Sequence, residues 1–91
     1  MNQKWFVYIV ECSDKSLYTG ISVDVTRRIS EHNTDNTKGA KSLRSKRPVK
    51  LVFIEEFKSQ SDALKREYAI KNWKRKYKLQ LICRKISGFT P

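Results

Sequence analysis

Two stretches of this sequence carry polar side chains at positions that helix periodicity places among apolar ones. In the first stretch, four residues follow the i, i+3, i+4, i+7 spacing of one helix face: Val25, Arg28, Ile29 and His32. Because a guanidinium without partners is expensive to bury, we expect Arg28 at the edge of the apolar face, where it opens onto a cleft.

The second stretch places a carboxylate, Glu67, in the middle of an apolar stripe formed by Ala63, Leu64 and Ile70. Glu67 either pairs with a neighbouring cation such as Arg28 or binds a metal ion. Polar residues also border apolar stripes without any chemical role, so a structural ion pair or a solvent-facing edge is an equally open interpretation.

A β-hairpin is predicted to bring two tyrosines close to each other. Residues 5–10 are an unbroken aromatic and β-branched run typical of a buried strand, residues 12–16 have turn chemistry, and residues 17–21 resume the strand. Tyr8 and Tyr18 lie in the two arms, where tyrosines are usually packing residues with a hydrated hydroxyl. Gly20 indicates a bulge or a close backbone approach.

The remaining elements are predicted from caps and periodicity. Asp24 is expected to cap a helix reaching about residue 32, residues 33–47 form a loop, and Pro48 opens a strand over 49–54. A capping box at 59–62 opens a helix to about residue 73, and residues 76–85 are again helical. The order β-β-α-β-α-α predicts an α+β fold, a small three-stranded and mainly antiparallel sheet packed by helices.

The 91 residues predict a single domain over 1–91, with a core at about 4–74 and a basic helical C-terminal extension at about 75–88. The two cysteines, Cys12 and Cys83, lie far apart in the sequence and do not have metal-binding spacing. We therefore expect no disulfide framework, as is usual in a reducing compartment. The N-terminus does not resemble a signal peptide, and no apolar run approaches the roughly 18 residues of a membrane span. We therefore expect a cytoplasmic protein that does not associate with membranes.

The charge balance favours a nucleic-acid partner, because 20 Lys and Arg against 9 Asp and Glu give a net charge of +11. Two basic segments are predicted to contact its phosphates. The residues concerned are Lys38, Lys41, Arg44, Lys46 and Arg47 in the loop, and Lys71, Lys74 and Arg75 near the C-terminus. The second segment also holds Trp73 and Tyr77, an arrangement suited to exposed bases. Core packing of Trp73 and simple solubility of the lysines are the alternatives.

Five stretches in this order resemble the GIY-YIG nuclease family, particularly its small stand-alone members. They are Phe6-Val7-Tyr8, Tyr18-Thr19-Gly20, and the segments 24–33, 48–52 and 63–67. The sequence departs from the family at three points. Phe6 replaces the glycine of the first motif, Ser42 and Leu43 replace an aromatic residue and a threonine common in small members, and Asn72 does not match the spacing of an asparagine found after the glutamate helix.

The resemblance implies a metal-dependent endonuclease that hydrolyses phosphodiester bonds, with DNA favoured over RNA and a role in DNA repair or processing. It implies the catalytic set Tyr8, Tyr18, Arg28, His32 and Glu67, with one Mg²⁺ or Mn²⁺ ion on Glu67. The metal and Arg28 would stabilise charge on the scissile phosphate. A tyrosine, Tyr18 above all, would help to remove a proton from water, and His32 would orient the hydroxyl network.

Two other functions are compatible with the same residues. One is an accessory module that keeps the fold and binds nucleic acid without cleaving it. The other is a small structural protein whose polar stripe residues form a buried ion-pair network, in which removal of Arg28 would destabilise the fold by several kcal/mol.

Overall fold

The computed structural model describes residues 3–87 and confirms the predicted α+β architecture. Strand β1 (Trp5–Glu11) and strand β2 (Leu17–Ser22) form a hairpin. Helix α1 (Val25–Thr34), a short 3₁₀ helix (Lys41–Lys46) and strand β3 (Lys50–Phe57) follow. The chain continues into helices α2 (Gln60–Lys71) and α3 (Arg75–Ser87).

Strand β1 lies at the centre of the antiparallel sheet, whose strand order is β2-β1-β3. Tyr8 faces Gly20 on β2 and Ile54 on β3, and a shift in the β1–β3 register falls between Ile9 and Val10. Residues of β1 pack into apolar clusters on both faces of the sheet, which explains why its sequence is an unbroken apolar run.

The two faces of the sheet build two apolar clusters, because successive strand side chains point to opposite sides. Tyr8 and Val10 pack on the α1 side with Val25 and Leu43. Val7 and Ile9 pack on the other side, against Ala63 and Ile70 of α2 together with Trp73 and Leu81. The sheet is therefore sandwiched between α1 with the 3₁₀ helix and the α2–α3 pair.

Both predicted helix caps are present. The side chain of Asp24 accepts a hydrogen bond from the Arg27 amide at 3.1 Å, and that of Ser59 accepts one from the Asp62 amide at 3.2 Å. These bonds satisfy amides that have no partner inside the helix, so the α1 and α2 starts were readable from local chemistry.

Several predicted boundaries were wrong. Residues 33–47 are not simply a loop, because the 3₁₀ helix forms there and buries Leu43, which is 2% exposed. Strand β3 runs three residues beyond the predicted end, and α2 ends at Lys71 rather than near Trp73. Leu64 is 45% exposed, since one residue turns a helix by about 100° and the contacting stripe of α2 is narrow.

The range predicted as a C-terminal extension is helical as far as Ser87, residue 88 lies outside the described part of the chain, and the division into a core and an extension remains a prediction. Within residues 3–87, none of the helices has the length and apolar character that crossing a membrane requires.

Candidate active site

Tyr8 is the most enclosed of the predicted site residues on the hairpin, with 1% of its surface exposed. Its ring lies against the backbone of β2 at Gly20, its cross-strand partner. A Cβ atom at Gly20 would stand 2.6 Å from the Tyr8 Oη and 2.8 Å from its Cζ, distances at which something must move. Of the two interpretations of Gly20, close approach is therefore correct, and what approaches is the tyrosine ring.

His32 is fully buried beneath Tyr8 and is hydrogen-bonded through both ring nitrogens. Its Nε2 lies 2.8 Å from the Tyr8 Oη, and its Nδ1 accepts a hydrogen bond from the Ala40 amide at 3.0 Å. A backbone amide can only donate, so Nδ1 carries no proton in this arrangement.

The charge state of His32 completes the assignment of its protons. Burial and the nearby Arg28 lower the pKa of His32 to about 4, so the imidazole is neutral at neutral pH. A neutral imidazole that accepts at Nδ1 must carry its proton on Nε2. His32 therefore donates to the Tyr8 hydroxyl oxygen and has no lone pair with which to take the Tyr8 proton.

The two tyrosines and His32 form one aromatic cluster. The ring of Tyr18 lies edge-on to His32 with centroids 5.4 Å apart, and it lies 6.5 Å from the ring of Tyr8. Burial raises the pKa of Tyr8 to about 12, and Tyr18 and Glu67 add to that rise while Arg28 opposes it. Tyr8 therefore keeps its proton at neutral pH.

Arg28 lies at the edge of the α1 apolar face, as predicted, with 30% of its side chain exposed. Its Nη1 donates to Glu31 at 3.1 Å and to the Lys38 carbonyl at 2.5 Å. The hydrogen bond to Glu31 and the two tyrosines raise the pKa of Arg28 against the opposing effect of burial, so its charge is permanent. Arg28 thus ties α1 to the following loop while facing the tyrosine cluster.

Glu67 comes from α2, in the layer on the other side of the sheet, and 17% of its side chain is exposed. Its carboxylate contacts Lys71 at 3.4 Å, one helical turn away. The structure does not contain the predicted alternative pair with Arg28, because Arg28 is paired with Glu31 instead. The charge of Glu67 nevertheless contributes to the raised pKa of Tyr8, so this fifth predicted residue lies within electrostatic range of the cluster.

No group of three or more His, Cys, Asp or Glu side chains is arranged to hold a metal ion within residues 3–87. A metal held at Glu67 would therefore have at most one further His, Cys, Asp or Glu ligand from the described residues. Mg²⁺ accepts such an arrangement, because it keeps several water ligands and is commonly bound by one or two carboxylates together with substrate phosphates.

Comparison with known proteins gives this arrangement a family. The GIY-YIG catalytic domain matches residues 4–80, which span the hairpin, α1, β3 and α2. The chain belongs to the GIY-YIG family. A UPF0213 protein of Desulfotalea psychrophila is 50% identical to it over 86 residues, 94% of this chain and 77% of that protein. A UPF0213 protein of Staphylococcus epidermidis is 53% identical over 79 residues, 87% of this chain and 94% of that protein.

Solved structures agree with the fold of this GIY-YIG protein. The solution NMR structure of a UPF0213 protein from Bacillus halodurans is 43% identical in sequence and superimposes with a TM-score of 0.59, covering 90% of this chain and 85% of that one. A protein from E. faecalis, also solved by NMR, is 37% identical with a TM-score of 0.58, covering 88% and 85% of the two chains.

The basic side chains of this GIY-YIG protein divide into two groups. Lys38, Lys41 and Lys74 are exposed, as phosphate contacts require. Others already bind the protein itself. Arg44 donates to the Asn36 carbonyl, Lys46 contacts Asp14 at 3.7 Å, Lys71 contacts Glu67, and Arg75 donates to the Lys15 carbonyl at 2.7 Å. The nucleic-acid contacts of both groups remain predictions.

Arg47 is the most engaged of the predicted binding residues. Its Nε donates to the His32 carbonyl at 2.6 Å, its Nη1 to the Asn36 side chain at 2.9 Å and its Nη2 to the Asp35 carbonyl at 3.2 Å. All three acceptors lie at or just beyond the C-terminal end of α1, so the guanidinium holds this end of the helix in place.

Sequence reasoning missed the backbone that orients His32. Gly39 packs so closely on α1 that a Cβ atom there would stand 2.4 Å from the Glu31 carbonyl oxygen. This approach places the next amide, that of Ala40, on the His32 ring. Gly39 was the available signal, since glycine is the residue that allows backbone to approach backbone closely.

Proposed function

We propose that this GIY-YIG protein is a metal-dependent endonuclease that hydrolyses phosphodiester bonds in nucleic acid, with DNA favoured over RNA. The observation that carries the proposal is the convergence of five groups from three parts of the fold. Tyr8 and Tyr18 come from the hairpin and Arg28 and His32 from α1, while the charge of Glu67 on α2 acts on Tyr8. A cytoplasmic location and a role in DNA repair or processing belong to the same proposal.

Glu67 is the residue that would hold the metal ion. Its carboxylate must exchange the contact with Lys71 for the metal, and Lys71, which is half exposed, is free to turn into solvent. When bound, a divalent ion neutralises charge on the phosphate and makes a coordinated water more acidic.

Arg28 binds the scissile phosphate in this mechanism. Glu31 and Lys38 use the donors on Nη1 and fix the plane of the guanidinium. The donors on Nε and Nη2 remain for Tyr8 and for a non-bridging phosphate oxygen. A guanidinium whose orientation is fixed in advance stabilises the charge that develops in the transition state without reorganising.

The tyrosines divide the proton chemistry between them. Tyr18 is half-buried and is therefore the tyrosine that an attacking water reaches, so we assign proton removal from that water to Tyr18, which would take the water proton as its own hydroxyl proton passes to a non-bridging phosphate oxygen. Tyr8 keeps its own proton, and its oxygen accepts the hydrogen bond of His32. The Tyr8 hydroxyl then donates a hydrogen bond to Tyr18 or to a phosphate oxygen without losing its proton, and His32 is the positioning residue that orients it.

The test is cleavage of single-stranded, nicked and branched DNA by the wild type and Glu67→Gln, with Mg²⁺ or Mn²⁺ and with a chelator. We expect metal-dependent cleavage by the wild type and a loss of at least about 100-fold in Glu67→Gln, the scale expected when an electrostatic contribution of this kind is removed. Glu56→Gln is the matched control, because Glu56 is an exposed carboxylate on β3 that pairs with Lys4. Equal cleavage by all three proteins would mean that the nuclease is a contaminant.

A second candidate function is a nucleic-acid-binding accessory module without turnover. The observation in its favour is that both key charges are engaged within the protein, Arg28 with Glu31 and Glu67 with Lys71. Salt-sensitive binding by wild type and Glu67→Gln alike, with no metal-dependent product from any substrate structure, would establish this function in place of the endonuclease.

A further inference from the structure

A groove between α2 and α3 lies apart from the tyrosine cluster. Its volume is about 520 Å³, within the range of small-molecule and nucleotide sites. Among the residues whose side chains the structure describes, the groove is lined by Arg66, Trp73, Tyr77, Gln80, Leu81 and Arg84. Trp73 and Leu81 also pack against Val7 and Ile9, whereas Tyr8 belongs to the cluster on the opposite face of the sheet. A ligand in this groove would therefore not occupy the place of the scissile phosphate.

The wall of the groove on the α2 side is held rigidly. Arg66 donates from Nε to the Glu55 carboxylate at 2.8 Å, and its guanidinium lies 5.3 Å from the centre of the Trp73 ring. Arg66 and Glu55 are both about two-thirds covered, so this cation–π and ion-pair arrangement is a preformed surface. A preformed wall reduces the ordering that a ligand must impose when it binds.

The α3 side of the groove presents an aromatic ring and a cation to solvent. Tyr77 is 46% exposed and has the ammonium of Lys76 5.0 Å from its ring centre, and Arg84 is exposed. An exposed tyrosine beside arginine is the surface on which an unpaired base stacks while its phosphate meets the cation.

The charge around the groove selects an anion. From residue 71 to residue 84 the sequence holds six cations and no Asp or Glu: Lys71, Lys74, Arg75, Lys76, Lys78 and Arg84. Glu55 is neutralised by Arg66 at the far wall. An acidic peptide would satisfy the charge but would leave the aromatic walls without a planar partner, so a nucleotide matches more of the surface.

We propose that the groove lined by Trp73, Tyr77 and Arg84 binds an unpaired nucleotide of a single-stranded nucleic-acid segment, with the base on Tyr77 and the phosphate at Arg84. This inference rests on the proposed nuclease function, for which it names the substrate class. The substrate is nucleic acid with a single-stranded portion, and that portion passes over the face of the molecule opposite the tyrosine cluster.

The experiment measures binding alone, so that it does not depend on catalysis. Fluorescence anisotropy with a labelled DNA single strand and with the corresponding blunt duplex is recorded in the presence of a chelator. The variants are Tyr77→Ala and Arg84→Gln. Their matched controls are Tyr68→Ala, which removes a tyrosine 73% exposed on α2 outside the groove, and Lys65→Gln, which removes an exposed cation from the same helix.

We expect Tyr77→Ala to weaken single-strand binding by about fivefold or more, as stacking of one base predicts, and to change duplex binding by less than about twofold. Arg84→Gln should weaken single-strand binding and reduce its salt dependence by about one phosphate contact. Both controls should bind like the wild type. If Tyr68→Ala and Tyr77→Ala lose the same affinity, or if duplex binding falls in parallel, the groove is not the site.

A second measurement locates the bound base directly. On addition of a short single strand, the indole N–H signal of Trp73 in the ¹H–¹⁵N spectrum should shift, while that of Trp5 serves as the internal reference. A free mononucleotide should produce a smaller shift at equal concentration, because it lacks the neighbouring phosphates. A shift of Trp5 without one of Trp73 would overturn the assignment. If the wild type binds single strands in this groove as expected but cleaves no substrate, the nuclease proposal alone is refuted.

Discussion

At the scale of single residues, the candidate site depends on how closely Tyr8 approaches β2. The Oη of Tyr8 occupies the space that any side chain at position 20 would need, and the same oxygen accepts the His32 hydrogen bond. Two neighbours therefore set the position of this oxygen. One is the backbone of β2, which it can approach because Gly20 has no Cβ, and the other is the imidazole of His32 from α1. Such fixing is what a group taking part in proton transfer requires, because its geometry must be set before the reaction.

The first prediction concerns this approach. Gly20→Ala should destabilise the protein by about 1–3 kcal/mol, since the added methyl group overlaps the Tyr8 ring in a closely packed region. In a Tyr8→Leu background the same change should be milder, because leucine has no atom at the Oη or Cζ position. Urea unfolding of the four proteins gives the coupling free energy. A coupling near zero would show that Gly20 is needed for some reason other than Tyr8.

The second prediction concerns the protonation of His32. Its pKa is lowered from 6.5 to about 4 in the folded protein, so the unfolded chain binds the proton more readily between those values. The resulting stabilisation is fully present above pH 6.5 and is lost as the pH falls towards 4, a loss of about 3 kcal/mol.

His32→Gln should remove this dependence, because glutamine can accept from Ala40 and donate to Tyr8 but does not titrate. The free energy of unfolding is measured by urea denaturation at intervals from neutral pH down to about 4. Wild type should lose stability over this interval more steeply than the variant. Parallel curves for the two proteins would contradict a buried neutral imidazole.

At the scale of elements, the segment after α1 holds the helix and two of its functional side chains in position. The Lys38 carbonyl accepts from Arg28, the Ala40 amide donates to His32, and Arg47 returns to the C-terminal end of the helix. A segment predicted as a basic loop for phosphate contacts therefore also has a structural role. Its carbonyl and amide groups orient the predicted catalytic residues of α1.

The third prediction separates charge from geometry at Arg47. Arg47→Lys keeps the charge but loses the planar fork that reaches three acceptors, so it should destabilise the protein by about 1–3 kcal/mol. Arg27→Lys is the matched control, because Arg27 is 66% exposed and makes a loose contact with Glu31 at 3.8 Å. Thermal unfolding measures both. Equal melting temperatures would show that the Arg47 bonds contribute little.

At the scale of the whole molecule, the net charge of +11 is distributed unevenly over the surface. Lys4 and Lys50 have acidic partners, Glu56 at 3.3 Å and Glu11 at 3.7 Å. Lys38 and Lys41 are exposed in the segment beside Arg28 and His32. The total charge attracts any polyanion, whereas the positions of the exposed cations decide where it is held.

The fourth prediction tests whether the total charge or the positions of the cations decide binding. Two positive charges are removed from each of two different places. Lys38→Ala with Lys41→Ala should lower the slope of log affinity against log salt for duplex DNA by about two, because two phosphates are then no longer neutralised by the protein. Lys4→Ala with Lys50→Ala removes the same charge and should change the slope much less. Equal slopes for the two double variants would show that the protein responds to net charge alone.

Local chemistry in the sequence determined the elements and the identity of the candidate residues. The caps at Asp24 and Ser59 and the apolar run of β1 needed no knowledge of distant residues, because each acts within a few positions along the chain. The phase of α1 likewise placed Arg28 and His32 on the face with Val25. The family motifs then gave these positions a shared chemistry, and the match over residues 4–80 confirmed the family.

Only the tertiary structure decided how those residues are paired. The partner of Arg28 is Glu31 rather than Glu67, His32 holds its proton on Nε2 because of the Ala40 amide, and Arg47 binds the end of α1. The Arg28–Glu31 pair lies within one helix, so what the packing decided there is that Glu67 does not pair with Arg28. The other two facts depend on backbone groups: the Ala40 amide that the loop brings onto His32, and the carbonyls near the end of α1 that Arg47 reaches. Helix periodicity fixes which way a side chain faces, but its partner is fixed by the packing of segments that are separate in the chain.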